Sequence, residues 1–202
     1  MSERDQLINA YYRALAFGMG EDEILYKGFN YKYDDKTKRL VCLGFYNLED
    51  KQIVVPDIFD SLYIEGGVIT NKYESLEYID LGKIKYFENV LRLNTNIKVF
   101  KGNSLIGRID PGFCAFSRIQ ECELNSIECL SGNYNFYCCS QLTKLSFKQV
   151  KLLKMFSIVQ CRELKELNVA RETEFESNAI MECSKLKLIN MDGCDMPVDM
   201  VC

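Results

Sequence analysis

From Leu76 onward one apolar pattern returns at a nearly constant period. Leu76-x-x-Ile79-x-Leu81 is followed by Ile97-x-x-Phe100-x-Gly102, Ile119-x-x-Cys122-x-Leu124 and Leu142-x-x-Leu145-x-Phe147. Leu164-x-x-Leu167-x-Val169 and Leu186-x-x-Ile189-x-Met191 complete the set, with first residues 21, 22, 23, 22 and 22 positions apart. Another apolar residue stands three positions later at Ile84, Leu105, Ile127 and Val150; Glu172 holds that place in the fifth unit and Cys194 in the sixth. Residues two apart point to one side of a strand, so each unit predicts a short strand with its last two apolar positions inward. One such strand cannot bury its apolar side alone, whereas a stack of them builds a continuous core. The pattern predicts six parallel strands over residues 76–191, with Leu81, Leu124, Phe147, Val169 and Met191 in one buried column.

A second phrase precedes the strands at the same period. Phe136-x-x-Cys139-x-x-Leu142, Ile158-x-x-Cys161-x-x-Leu164 and Ile180-x-x-Cys183-x-x-Leu186 are one motif written three times. Phe113-x-x-Phe116-x-x-Ile119 reads as a fourth copy, with Phe116 in the cysteine slot. Before the repeats, Ser2 and Asp5 form an approximate capping box, and Leu7, Ile8, Tyr11, Tyr12 and Leu15 follow at helical spacing, with Gly18 as the stop. The acidic Glu21-Asp22-Glu23 comes next. Phe29–Tyr33, the turn-like Asp34–Lys38 and Leu40–Tyr46 then predict a β-hairpin. The expected organisation is a helical segment over 1–27, a hairpin cap over 28–52 and a solenoid of six to seven units over 53–202.

These units resemble leucine-rich repeat proteins of the BspA type, in which F-x-x-C-x-x-L-x-x-I-x-φ phrases recur about every 23 residues. Ile53-Val54-Val55-Pro56-Asp57-Ile58 is similar to the strand exit common in that family, adding an irregular unit over 53–75. The resemblance covers roughly residues 40–193. It implies an α+β repeat solenoid, a leucine-rich-repeat stack of short parallel strands with an N-terminal helix and hairpin cap.

Composition narrows the chemistry. The 202-residue chain has no histidine, which removes Ser-His-Asp and Cys-His nucleophile systems and every histidine-containing metal site. Its formal net charge of −4 does not provide the basic field that nucleic-acid coating needs. Ten cysteines invite a metal or disulfide reading, but no C-x-x-C pair occurs, so no metal site is expected. Cys139, Cys161 and Cys183 share one repeat position and read as a column of small buried side chains. Cys122 and Cys194 read as core; Cys138 and Cys202 are the candidates for exposure. The polar start Met1–Gln6 lacks an export signal, so a reducing cytoplasm is expected, that of a host if the chain is an effector. No apolar run is long enough to span a membrane.

No cofactor or catalytic group is expected. Lys144, Lys148, Lys151 and Lys154 form the nearest thing to a basic patch, flanked by Glu121, Glu123 and Glu166. The function expected is a non-catalytic protein-binding module. The outward strand positions Tyr78, Asp80, Lys101, Glu121, Glu123, Lys144, Ser146, Lys148, Glu166, Asn168 and Asn190 would carry the contact, alone or with the solenoid ends. A small inhibitor or effector blocking a larger enzyme or nucleoprotein complex is one alternative. A nucleic-acid module using the lysine group, or an enzyme using carboxylates or a thiolate, are the others. The tail after Met191 is expected to contribute to a partner contact or to self-association through the C-terminal rung.

Overall fold

The computed structural model describes residues 1–20, 24–45, 51–63, 75–87, 96–109, 111–130 and 132–200. The chain is a β-solenoid of about six coils. Its principal sheet holds strands Gln52–Val54, Tyr78–Asp80, Val99–Lys101, Glu121–Glu123, Lys144–Phe147, Glu166–Val169 and Leu188–Met191, all parallel and in repeat register. The first of these supplies the irregular unit expected near residue 53. The inward residues Ile79, Phe100, Cys122, Leu145, Leu167 and Ile189 are all buried, as are Leu81, Leu124, Phe147 and Val169; Met191 is half-buried.

Each later coil adds two further walls. Arg108–Ile109 pairs with Cys129–Leu130, and Leu152–Leu153 with Glu174–Phe175. On the remaining side Phe136–Tyr137, Ile158–Val159 and Ile180–Met181 form a three-stranded parallel sheet. The inward apolar residues of these walls form one core cluster, and burial of roughly 0.8 kcal/mol per methylene drives the stacking. Gly102 occupies an inward strand-exit position because a Cβ there would lie 2.6 Å from Leu105 Cδ1 and 3.1 Å from Leu124 Cδ2. In the fifth unit the buried place passes from Glu172 to Thr173, whose hydroxyl donates to the Val150 carbonyl at 2.7 Å. That hydrogen bond lets a polar side chain fill a core position.

The N-terminal helix spans Glu3–Ala16, opened by the expected Ser2–Asp5 capping box. Its buried face is Leu7 and Tyr11, with Ile8 and Ala14 packed beside them; Tyr12 and Leu15, expected on that face, are exposed. Tyr12 turns outward because its hydroxyl donates to Asp35 at 2.6 Å, tying helix to hairpin turn. The hairpin Phe29–Asp34 and Arg39–Phe45 joins the solenoid through parallel pairing with Ser61–Leu62. The acidic segment 21–23, Tyr46 and Cys202 lie outside the described residues.

At the other end, the tail is not a loose appendage. Cys194–Pro197 folds back as an antiparallel strand on Leu188–Met191 and covers the last rung, with Val198 buried behind it. Cys194, expected in the core, is exposed because the reversal at Asp192-Gly193 (both at positive φ) turns it outward.

The thiol column is real, but its register differs from expectation at one end. Phe116 donates its backbone N–H to Tyr137, as Cys138 does to Val159 and Gln160 to Met181. Phe116 therefore aligns with Cys138, and the slot aligned with Cys139 belongs to buried Ser117. Phe116 is 51% exposed rather than core.

Candidate functional site

The backbone explains why aromatic rings reach the surface. Gly112, Tyr134, Phe156 and Asn178 recur at one coil position, all at positive φ. Phe116, Cys138, Gln160 and Glu182 form a second such column, with φ of 57°, 54°, 59° and 53°. A left-handed residue turns the chain sharply and costs non-glycine side chains something of order 1–3 kcal/mol. Here the two columns flank the three-stranded wall and project Phe116, Tyr134 and Phe156 away from the core.

Together with Tyr137 these rings line a cleft of about 730 Å³. Phe116 and Tyr134 stand steeply on Tyr137, with centroids 5.1 Å and 5.2 Å away and interplanar angles of 85° and 68°. Phe156 stacks behind Tyr134 at 5.7 Å and 11°. Pro111, Val159 and Met181 extend the apolar lining, and Asn133 and Gln160 supply amides. A polar relay runs along its margin: the Cys138 thiol donates to Gln160 Oε1 at 2.9 Å, and Gln160 Nε2 donates to Glu182 at 3.0 Å. The Tyr137 hydroxyl is raised above the ordinary phenol range, first by its hydrogen bond with Cys138 and further by the nearby Tyr134 and Glu182.

The residues expected to bind a partner lie on a different face. Glu123, Lys144, Ser146, Lys148, Glu166, Asn168 and Asn190 come together around a polar groove of about 520 Å³. Tyr78, Asp80, Lys101 and Glu121 sit on the same sheet outside that groove, with Lys101 5.9 Å from the Tyr78 ring. Much of this face is satisfied internally. Lys144 lies 3.7 Å from Glu166, Ser146 donates to Asn125 at 2.7 Å, and Asn168 donates to Glu166 at 2.8 Å. Asn190 donates to Asp195 of the returning tail at 3.3 Å.

The described cysteines carry free thiols. Burial pushes Cys42 up to about 12, and burial together with Cys122 holds Cys114 well above the usual thiol range. Cys161 is also raised, by the adjoining Cys139 and Cys183 sulfurs and by burial. These three thiols remain protonated at neutral pH and are poor nucleophiles, whereas hydrogen bonding with Cys161 lowers Cys139 and Cys183. Among the described residues no group of three or more Cys, Asp or Glu side chains is placed to hold a metal ion.

The sequence reading missed the aromatic cleft because it took Phe116 as core and gave Tyr134 and Phe156 no role. The available signal was a 22-residue column containing both glycine and asparagine, the two residues that best tolerate left-handed backbone. No protein family, curated protein or solved structure matches the chain, so its class is defined by its coils: a three-walled β-solenoid bearing an exposed aromatic cleft.

Proposed function

We propose that the chain is a non-catalytic interaction module that docks a protein partner, with the aromatic cleft as the main contact and the polar strand face as a secondary one. The observation that carries this reading is the clustering of Phe116, Tyr134, Tyr137 and Phe156 around one surface cleft on a rigid, hydrogen-bonded scaffold. Aromatic side chains dominate binding energy at protein interfaces, and a contiguous exposed apolar patch marks such a surface. Rigid coils also keep the ordering cost of binding low. We read the coils as leucine-rich repeats of the BspA type, on the strength of the F-x-x-C-x-x-L phrases.

The strand face fits a supporting role, since Lys144 meets Glu166 across adjacent rungs and Ser146, Asn168 and Asn190 bond within the fold. The same pair takes Lys144 out of the lysine group, and a nucleic-acid reading needs several uncompensated phosphate contacts. An inhibitor or effector that blocks a larger protein is one form the module can take. The test is comparative capture from cells that express the protein, using three baits: the native chain, Tyr134→Ala/Phe156→Ala, and Lys144→Ala/Glu166→Ala. A partner kept by the native and strand-face baits but lost from the cleft bait supports the assignment. Equal retention by all three would place the contact elsewhere.

A further inference from the structure

Resting on that reading, the chemistry of the cleft points to a particular group on the partner. We propose that the cleft formed by Phe116, Tyr134 and Tyr137 takes a trimethylated lysine side chain presented by a protein.

Ring geometry is the first support. Two aromatic rings stand steeply on a third at 5.1 Å and 5.2 Å, and all three line one cavity. Aromatic faces attract a cation held within about 6 Å of the ring centroid, and quaternary ammonium groups are the cations such cages recognise. Phe156 fixes the Tyr134 ring by parallel stacking, so the wall is pre-set before a ligand arrives.

Charge is the second. Among the described residues no lysine or arginine lines the cleft, so its described lining carries no charge that repels a cation. The polar relay ends on the carboxylate of Glu182, bonded to the lining Gln160. Arg162 approaches Glu182 only at 3.9 Å and is 70% exposed, where water screens it.

Size and polarity then choose among cations. An unmodified lysine ammonium is compact and strongly hydrated. Methylation replaces its N–H donors with apolar surface that aromatic rings can cover. At about 730 Å³ the cavity exceeds a lone quaternary ammonium, and Val159, Met181 and Pro111 offer apolar surface to the methylene stem and adjoining peptide. A phosphocholine headgroup would bring a phosphate for which the described lining has no cation.

Isothermal titration of the intact chain tests the assignment with four probes. These are a short Gly/Ser-flanked trimethyllysine peptide, the same peptide unmodified, its neutral tert-butyl isostere with carbon replacing the charged nitrogen, and phosphatidylcholine vesicles. The trimethyllysine peptide is expected to bind about tenfold or more tighter than the unmodified and neutral peptides, the difference between a cation–π contact and simple burial. Tyr134→Leu is expected to lose about tenfold, and Glu182→Gln about two- to fivefold, with the folded state checked by circular dichroism. Equal binding of the neutral isostere, tighter binding of vesicles, or no binding at about 1 mM peptide overturns the proposal. The isostere comparison uses the native chain, so it decides even if a variant unfolds. If the peptides fail while the cleft bait still loses its captured partner, the ligand assignment falls and the interaction reading stands.

Discussion

Ser117 lies one coil before Cys139 in the internal column, its hydroxyl donating to the Cys139 sulfur at 3.7 Å. Cys139 in turn donates to the Cys114 carbonyl at 2.9 Å, and Cys161 to the Phe136 carbonyl at 3.3 Å. At its cysteine rungs the slot thus selects a small inward side chain that can donate to the backbone of the preceding coil. Cys161→Ser should keep the bond and cost less than about 1 kcal/mol. Cys161→Ala, which removes the donor and leaves space, should cost about 1–3 kcal/mol. Urea denaturation of both variants under reducing conditions measures the difference, and equal losses would deny the hydrogen bond its role.

Leu145 and Leu167 are directly paired across the stack and fully buried. Truncating either to alanine should cost about 2–5 kcal/mol, the transfer loss plus an incompletely closed cavity. Chemical denaturation checks this, and losses below about 0.5 kcal/mol at both positions would contradict their place in the core.

The strand stack was legible because inward residues there must be apolar and recur once per coil, as Ile79, Phe100, Leu145 and Leu167 do. The wall bearing the cleft was harder to read. Its turns are fixed by backbone conformation, and a left-handed φ at Phe116 or Phe156 leaves no hydrophobic signature of its own. Phe113 and Phe116 fall at the spacing of Phe136 and Cys139, yet Phe113 is buried and Phe116 exposed. One residue of register separates the two outcomes, and only the backbone pairing of Phe116 with Tyr137 decides it.

Gly102 has ordinary backbone torsions, so the objection to a side chain there is steric. An added Cβ would press on Leu105 Cδ1 at 2.6 Å. Gly102→Ala should therefore cost about 1–3 kcal/mol by overpacking. Combining it with Leu105→Ala should cost clearly less than the sum of the single changes, because the truncated side chain vacates the contested space. Strict additivity in a thermal or urea double-mutant cycle would show that the clash lies elsewhere.

Glu77 accepts from Lys98 at 2.7 Å and lies 3.9 Å from Lys51. The Lys98 hydrogen bond, aided by the charges of both lysines, holds its carboxyl below the usual range. The folded-state pKa is lowered, so the contribution is present above the unfolded value of about 4.3 and is lost as pH falls through the folded one. Asp35 acts in the same direction, through the hydrogen bond it receives from Tyr12. Glu77→Gln should flatten the acid side of the stability–pH curve while leaving its neutral side nearly level. An unchanged acid limb would remove Glu77 from the account.

Asn178 isolates the backbone demand of the cleft wall from its side chains. It is exposed, sits at φ 58°, and its carbonyl accepts from Phe156 N–H at 2.9 Å, as the Phe156 carbonyl accepts from Tyr134 N–H at 2.7 Å. Glycine adopts this torsion freely, asparagine tolerates it, and a β-branched residue does not. Asn178→Gly should therefore change stability by less than about 0.5 kcal/mol, the relieved strain offsetting the entropy of the more flexible unfolded chain. Asn178→Val should cost about 1–3 kcal/mol, although it neither fills nor empties any buried space. Strain at this position would also loosen the hydrogen bond that seats Phe156 behind Tyr134. The valine variant should thus raise hydrogen exchange at the Phe156 and Tyr134 amides more than at Leu145. A valine variant as stable as the native chain, with unchanged exchange at those amides, would show that the left-handed column does not hold the cleft in shape.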